Sequence, residues 1–262
     1  MKVEEIDRDA LKERVLTERG FWHPFHDVLL QHNPQYLSAY VDFVGAPEKN
    51  GALSAKDRDL VYIALNASVA HMYVQGMRRH IELALSNGST VSEIIEVIQL
   101  ATSLADQTFA LGLKALVDEA PEQLAAIGVV IPSREINAAN DEFGASNSGY
   151  PRHLAILEQI DPGYAAAYRN FVHAPWSSKV LPAKTRELIA VAINASPATL
   201  NENGIVTHMR LALKAGATAR DVVEILQLAS GIAVHSCSLA LPALGEVMLA
   251  LSERQTSPIT PR

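Results

Sequence analysis

Cysteine is nearly absent from this sequence. Cys237 is the single cysteine in 262 residues, so the chain can form neither an intramolecular disulfide nor a dithiol redox centre from its own thiols. Aromatic residues are also few, at 6% of the chain. No run reaches the roughly 18 apolar residues that a membrane-spanning helix needs. The sequence therefore argues against a disulfide-stapled fold and predicts no membrane partner.

Positive charge is also scarce. The chain has 22 Lys and Arg against 29 Asp and Glu, a formal net charge of -7, and its basic residues form no block. Because nucleic-acid binding depends on neutralising phosphates, we expect no nucleic-acid partner. The opening residues, MKVEEIDRDALKERV, form a charged helical pattern unlike a signal peptide. With 48% hydrophobic residues available for a core, we expect a globular cytoplasmic protein.

The main feature of the sequence is a tandem duplication. The segment LSAKDRDLVYIALNAS at 53–68 matches LPAKTRELIAVAINAS at 181–196, an offset of 128 positions. With that offset and no gap, 34 of the 84 positions in 33–116 are identical to those in 161–244. This agreement indicates two copies of one module.

Each copy has apolar residues at helical spacing and no strand-like alternation. Leu60, Ile63 and Ala64 lie on one helical stripe. Thr90 and Thr218 are each followed three residues later by an acid, which is typical of a helix N-terminus. We predict an all-α fold in which each module is a bundle of about five helices.

The segment between the two copies is polar and contains Pro121 and Pro132. Such a composition predicts a linker or a strap. We therefore place one domain at 20–120, a linker at 121–148 and a second domain at 149–252.

Two aligned histidines lie on the apolar face of the fourth helix of each copy. His80 follows Met77 and precedes Leu83 at helical spacing, and His208 is its counterpart. One interpretation is a core histidine that bonds a backbone carbonyl or a carboxylate. The other is an imidazole tuned near neutrality for proton transfer.

The motifs around these histidines resemble the carboxymuconolactone decarboxylase and alkyl hydroperoxidase D superfamily. The first copy has the opening L-x-A-K-x-R-D-L, the histidine that ends A-H-M-Y-V-Q-G-M-R-R-H, and the continuation N-G-S-T-V-S-E-I-I-E-V. The second has L-P-A-K-T-R-E-L and A-G-A-T-A-R-D-V-V-E-I. The resemblance covers most of the chain. It implies a tandemly duplicated helical bundle of the alkyl hydroperoxidase D type, with His80 and His208 as catalytic residues.

The chain departs from the hydroperoxidase branch of this superfamily. That branch has a Cys-x-x-Cys before the histidine, and its thiolate is the nucleophile. Here Tyr73 and Gly76 occupy those positions in the first copy, and Asn201 and Gly204 occupy them in the second. A thiol peroxidase mechanism is therefore disfavoured, and Cys237 is expected to be a small buried residue.

The chain also departs from the decarboxylase branch, which typically has a carboxylate four residues before the histidine. Gly76 and Gly204 stand at that place. A glycine leaves room beside the histidine either for a ligand or for a closely packed helix. With the neighbouring Tyr73 and Asn201, we take these glycines as candidate substrate-binding positions.

Charged residues that recur in both copies are further candidates. Arg58 and Arg186 either bind a substrate carboxylate or form an ion pair between helices. Glu96 and Glu224 either reach the histidine of the preceding helix or form a polar stripe between helices. We include all four as candidate substrate-binding residues. No metal site and no cofactor is predicted.

The two copies differ where a pocket is expected. Asp106 and Phe109 align with Val234 and Cys237, and Gln107 aligns with His235. Two equivalent sites have less reason to differ in this way. Either at most one copy keeps a working pocket, or each copy contributes different walls to a shared one.

The leading function hypothesis is a lyase-type, cofactor-independent enzyme that acts by acid and base on a small organic acid or lactone. The first alternative is a non-catalytic ligand-binding or scaffold protein of the same fold. The second is a peroxide reductase, disfavoured by the missing thiols. Because single-domain relatives form trimers or hexameric rings, the resemblance implies a homotrimer, a pseudo-hexamer of six modules.

Overall fold

A computed structural model describes residues 6–132 and 152–256, which are helical with no strand among them. The all-α prediction is confirmed. In chain order the helices are α1 (Arg8–Arg19), α2 (Pro24–His32), α3 (Pro34–Asn50), α4 (Ala55–Ala67), α5 (Val74–Ser86), α6 (Val91–Thr102), α7 (Asp106–Glu119), α8 (Pro121–Ala126), α9 (Arg152–Ile160), α10 (Pro162–Val172), α11 (Ala174–Ser177), α12 (Ala183–Ala195), α13 (Glu202–Lys214), α14 (Ala219–Gly231) and α15 (His235–Thr256).

Local sequence explains where the central helices begin. Thr90 accepts a hydrogen bond from the Glu93 backbone N–H, and the Glu93 carboxylate accepts one from the Thr90 N–H at 2.7 Å. Thr218 and Asp221 repeat this arrangement before α14. These reciprocal caps satisfy backbone donors that a helix N-terminus leaves free, and they fix the starts of equivalent helices in the two copies.

The chain divides into two compact units, and the larger one spans residues 52–230. Within it, α4 packs against α5 and α6 of the first copy, and α12 packs against α13 of the second. Helix α12 also contacts α4 and α6, so equivalent helices of the two copies share one core. Its fully buried side chains include Leu60, Ile63, Leu100, Ile189, Ile193, Ile225 and Leu228.

Part of the predicted linker is packed structure in this larger unit. Residues 121–126 form α8, and Leu124 and Val129 are buried with Leu113 and Leu154 of α7 and α9. Leu124 and Val129 thus anchor α8 and the residues that follow it. The remainder of the predicted linker, from residue 133 onward, and the predicted start of the second domain at 149 lie outside the described residues.

The smaller unit spans residues 1–51 and 231–262. In its described part, α1, α2 and α3 pack together, and α15 packs on α2. Its core is built on Phe25, Leu29, Leu37 and Val41. The apolar spacing on α2 and α3 places these side chains on facing stripes.

Helix α15 exposes many apolar side chains. Leu239, Val247 and Leu249 are each more than half exposed. Among the described residues, the helical stretch Ala219–Arg254 is long and apolar enough to cross a membrane, and 11% of its 18-residue apolar window is buried. One stretch of this kind is weak evidence for a span, since helices of soluble proteins meet the same criteria.

Candidate active site

Each of the two histidines is paired with a carboxylate from the preceding helix. His80 Nδ1 of α5 lies 2.9 Å from Asp59 Oδ1 of α4, and His208 Nδ1 of α13 lies 2.8 Å from Glu187 Oε2 of α12. Both acids are buried. They are the acidic residues of the R-D-L and R-E-L motifs. Helix pairing thus turns a separation of 21 residues into a direct contact in both copies.

An aromatic ring stacks on each imidazole. The Tyr62 ring lies 4.3 Å from the His80 ring with an interplanar angle of 21°, and Trp176 lies 5.1 Å from His208 at 12°. The histidine side chains are 19% and 12% exposed, respectively. Carboxylate and aromatic ring together fix the plane of each imidazole.

The second ring nitrogen of each histidine is chemically available. A carboxylate accepts a hydrogen bond, so Nδ1 carries the proton and Nε2 keeps its lone pair in the neutral ring. Among the described residues, Nε2 of His80 and of His208 has no hydrogen-bond partner. Each pair therefore presents an oriented proton acceptor.

The space beside each site glycine is occupied by an asparagine side chain. A Cβ built on Gly76 would lie 2.7 Å from Asn66 Oδ1 and 2.7 Å from Tyr73 Cδ1. A Cβ on Gly204 would collide in the same way with Asn194 and Asn201. The glycines are needed for close packing. Of the two alternatives for these glycines, close packing is the one seen in the structure.

The asparagine of the second copy is fully hydrogen-bonded. Asn194 Nδ2 donates to the Ala190 carbonyl at 2.8 Å, and Asn194 Oδ1 accepts from Asn201 Nδ2 at 2.7 Å. Gln107 Nε2 of α7 is a second donor to that oxygen, at 3.1 Å. The polar groups beside Gly204 therefore satisfy one another.

The asparagine of the first copy, Asn66, is not fully hydrogen-bonded. Asn66 Nδ2 donates to the Tyr62 carbonyl at 2.7 Å, as its counterpart does. Asn66 Oδ1 is buried and has no hydrogen-bond partner among the described residues. Tyr73 occupies the position of Asn201 and offers no amide donor.

A strained loop precedes each of the two helices that carry a histidine. Met72 and Leu200 have φ values of 48° and 46°, in the left-handed region that non-glycine residues rarely adopt. The next residue bonds back to the asparagine backbone: the Tyr73 N–H donates to the Asn66 carbonyl at 3.0 Å. The same turn recurs in both copies and sets Tyr73 and Asn201 beside the glycines.

The candidate arginines and glutamates pair with each other across the two copies. Arg58 Nη1 of the first copy lies 3.3 Å from Glu224 Oε1 of the second, and Arg186 Nη1 lies 3.6 Å from Glu96 Oε1. The carboxylates are 2% exposed. The alternative of an ion pair between helices thus describes these four residues, and Glu96 and Glu224 do not reach the histidine of the preceding helix.

A polar cluster built on Asp106, which has no counterpart in the second copy, positions Gln107. Asp106 Oδ1 accepts from His153 Nε2 at 2.9 Å and from the Tyr168 hydroxyl at 3.1 Å. Burial, followed by the Asp106 charge, raises the pKa of Tyr168, so this hydroxyl stays protonated and donates. Val234 replaces Asp106 in the other copy. The cluster fastens the start of α7 beside the second site.

Sequence reasoning missed several of these residues. Asp59 and Glu187 were visible only as neighbours of the arginines, and the stacking rings Tyr62 and Trp176 do not align with each other. The recurrence of an acid 21 residues before both histidines was the available signal. No cluster of three or more His, Cys, Asp or Glu suited to a metal ion occurs in 6–132 and 152–256.

Comparison with known proteins places this geometry in a family. The family model for the carboxymuconolactone decarboxylase family matches residues 34–118 and 162–234. A solved structure of a protein of Burkholderia xenovorans LB400, assigned as a gamma-carboxymuconolactone decarboxylase subunit, is 30% identical. It superposes with a TM-score of 0.80 over 94% of this chain and 99% of that one. No curated protein matches the chain. Since the two matched segments make up more than half of its length and each holds one histidine pair, the chain belongs to the carboxymuconolactone decarboxylase family.

Proposed function

We propose that the protein is a cofactor-independent, lyase-type enzyme that acts by acid and base on a small organic acid or lactone. His80 or His208 is the group that moves the proton. The observation that carries this proposal is the pair of buried carboxylates at 2.9 and 2.8 Å from Nδ1, which leaves Nε2 of each ring without a partner in the part of the chain that the structure describes. An imidazole held in this way is oriented for general acid and base catalysis.

The carboxylate has two roles in the proposed mechanism. It fixes the tautomer, because an acceptor at Nδ1 requires the proton there, and it stabilises the imidazolium that forms when Nε2 takes a proton. The decarboxylase branch typically has this acid four residues before the histidine. Here Asp59 and Glu187 occupy the equivalent chemical role from the neighbouring helix.

The proposed decarboxylation balances without a cofactor. The bond between the leaving carboxylate carbon and the substrate breaks, and its electron pair remains on the substrate as an enolate. Carbon dioxide leaves, and the imidazolium Nε2–H of His80 or His208 transfers its proton to the substrate carbon. The ring then takes a new proton from solvent, so one proton is consumed for each carbon dioxide released.

The test uses gamma-carboxymuconolactone as the first substrate, with carbon dioxide release as the assay. We expect His80→Gln or His208→Gln to abolish turnover while changing the free energy of unfolding by about 1 kcal/mol or less. Of Asp59→Asn and Glu187→Gln, the variant whose acid pairs with the working histidine should lower turnover by on the order of a hundredfold and alter its pH profile. His32→Gln, at an exposed histidine of α2, is the control. Full activity in the variant lacking both His80 and His208 would refute the proposal.

A ligand-binding protein without turnover is the second candidate. The observation that favours it is the glycine four residues before each histidine, Gly76 and Gly204, where the decarboxylase branch typically has its carboxylate. Calorimetry that detects lactone binding without any product would favour this hypothesis. So would an equal loss of stability in the two histidine variants.

A further inference from the structure

The two copies differ in one buried acceptor. Asn66 and Asn194 hold the same backbone position, and each donates through Nδ2 to the carbonyl four residues earlier. Asn194 Oδ1 receives two amide donors, whereas Asn66 Oδ1 has none among the described residues although Asn66 is 0% exposed. The second copy thus shows which hydrogen bonds are missing at the equivalent oxygen of the first copy.

The orientation of the Asn66 amide is fixed. Its Nδ2 bonds the Tyr62 carbonyl at 2.7 Å, so exchanging nitrogen and oxygen would place two acceptors together. Oδ1 therefore faces Gly76, which lies one helical turn before His80. A ligand that reaches this oxygen lies on the same helix face as the His80 ring.

A buried acceptor without a donor is unfavourable, because its hydration is lost and no protein bond replaces it. Such groups are uncommon in folded proteins, and a bound ligand is one way to satisfy them. A ligand hydroxyl that donates to Asn66 Oδ1 would remove this penalty. The aliphatic counterpart without the hydroxyl would leave the oxygen unpaired, which is the strongest form of discrimination between similar ligands.

The Tyr73 ring and Asn66 Oδ1 both border the space beside Gly76. Tyr73 Cδ1 and Asn66 Oδ1 both lie 2.7 Å from the point where a Gly76 Cβ would stand. A ligand that enters the space beside Gly76 would have to displace this ring. Tyr73 follows the strained residue Met72, so the chain holds it at the start of α5 at a conformational cost.

We propose that the first-copy site is the one that binds substrate, and that it recognises a hydroxyl group on a small lactone or organic acid through Asn66 Oδ1. The second-copy site is closed by Asn201 and Gln107. This inference rests on the proposed function for its substrate class. To that function it adds the hydroxyl group that the site recognises and the copy that binds the substrate.

The test uses two lactone probes that differ by one hydroxyl, α-hydroxy-γ-butyrolactone and γ-butyrolactone. Binding is followed by NMR of the full chain labelled at the histidine ring carbons, with the His80 and His208 signals assigned from His80→Gln and His208→Gln. We expect the hydroxylated probe to shift the His80 signal with at least about tenfold higher affinity than the plain lactone. Neither probe should shift the His208 signal.

Tyr73→Asn converts the first copy to the arrangement of the second. The new amide should donate to Asn66 Oδ1, as Asn201 does to its counterpart at 2.7 Å. We expect a higher melting temperature and loss of the tenfold preference for the hydroxylated probe. Tyr73→Phe keeps a ring without an amide and should retain the preference. If Tyr73→Asn does not fold, the two probes on the unmodified chain still decide.

Equal affinities for the two probes at His80, no shift at His80, or a shift confined to His208 would overturn the inference. Its failure can be told from failure of the proposed function. Turnover of gamma-carboxymuconolactone that depends on His80, together with equal probe affinities, would overturn the hydroxyl recognition alone. Selective probe binding at His80 in a chain that turns over no lactone would overturn the enzymatic proposal alone.

Discussion

Arg58 and Glu224 belong to different copies of the repeat, and their side chains meet at 3.3 Å. Glu224 Oε2 also accepts from the backbone N–H groups of Ala52 and Leu53, at 2.5 and 2.8 Å. Arg186 and Glu96 repeat the contact with the copies exchanged. A buried carboxylate with this many donors ties the start of one helix to the other copy.

We predict that Glu224→Gln lowers the free energy of unfolding by about 3 kcal/mol, because it leaves Arg58 without its countercharge in a buried position. Asp118→Asn is the control, since it breaks the exposed Lys114–Asp118 pair. It should cost less than about 1 kcal/mol. Urea denaturation of both variants measures the difference, and similar losses would contradict the structural role of Glu224.

The site glycines give a second prediction. Gly76→Ala should lower the free energy of unfolding by about 1 to 3 kcal/mol, because the new methyl collides with Asn66 and Tyr73. Gly112→Ala in α7 adds a methyl with nothing within 4 Å and should stabilise the helix by about 0.5 to 1 kcal/mol. Thermal melts compare the two. A Gly76→Ala variant as stable as the parent chain would show that the site is open.

Acid should destabilise the smaller unit through His26. Burial lowers the pKa of this histidine from 6.5 to about 4. As the pH falls below 6.5, the unfolded chain binds a proton that the folded chain excludes, so stability is complete above that pH and is lost progressively toward pH 4. The loss amounts to up to about 3 kcal/mol.

Urea titrations at several pH values test this pH dependence. His26→Gln keeps an acceptor for the His23 N–H but cannot titrate, so its stability should fall less steeply between pH 6.5 and 4. His32→Gln changes an exposed histidine in the same helix and should keep the parent slope. An unchanged slope in His26→Gln would assign the acid sensitivity elsewhere, for example to His173, whose pKa is also lowered by burial.

Cys237 should be dispensable for turnover. The thiol packs partly buried against the core of the smaller unit and lies beside the Tyr36 hydroxyl, whose pKa it raises. No second cysteine exists for a disulfide cycle. Cys237→Ser keeps a polar group of similar size, so lactone turnover should stay within about twofold of the parent rate, an energy difference below 0.5 kcal/mol. Lost turnover in this variant with an unchanged melting temperature would contradict the prediction and support a mechanism that uses the thiol.

We propose that three chains assemble, which the apolar face of α15 supports. Light scattering should then report about three times the chain mass of 28.4 kDa. Leu249→Asp, at a residue 61% exposed on α15, should dissociate the assembly because it places a charge in an apolar contact. Ile127→Asp, at a residue 66% exposed elsewhere, should not. A concentration-independent monomer, or a chain that partitions into lipid vesicles, would contradict this assembly.

Much of the fold was predictable because its signals are local. The capping pairs at Thr90 and Thr218 lie within one helical turn of the acids they contact. Glycines after α5 and α13 have φ values of 84° and 92°, which the sequence could indicate because few other residues adopt them. The duplication was equally visible, since it needs only the chain compared with itself.

The site was less predictable because its contacts join distant helices. The histidines were identified, but Asp59 and Glu187 stood out only as the residues that follow Arg58 and Arg186. The sequence left open whether Glu96 reaches the histidine of the preceding helix or forms a polar stripe between helices, and in the structure it pairs with Arg186 of the other copy. Sequence spacing gives the face of one helix, whereas the partner of that face depends on how the helices pack.

The fusion of two modules into one chain has a consequence for how the sites can change. In a symmetric dimer of a single module, one codon would specify both residues at the position of Tyr73 and Asn201, so the two pockets would always be alike. A single polypeptide removes that constraint. One pocket is free to keep an unsatisfied polar group suited to a ligand, while the other closes and contributes rigidity to the shared helices.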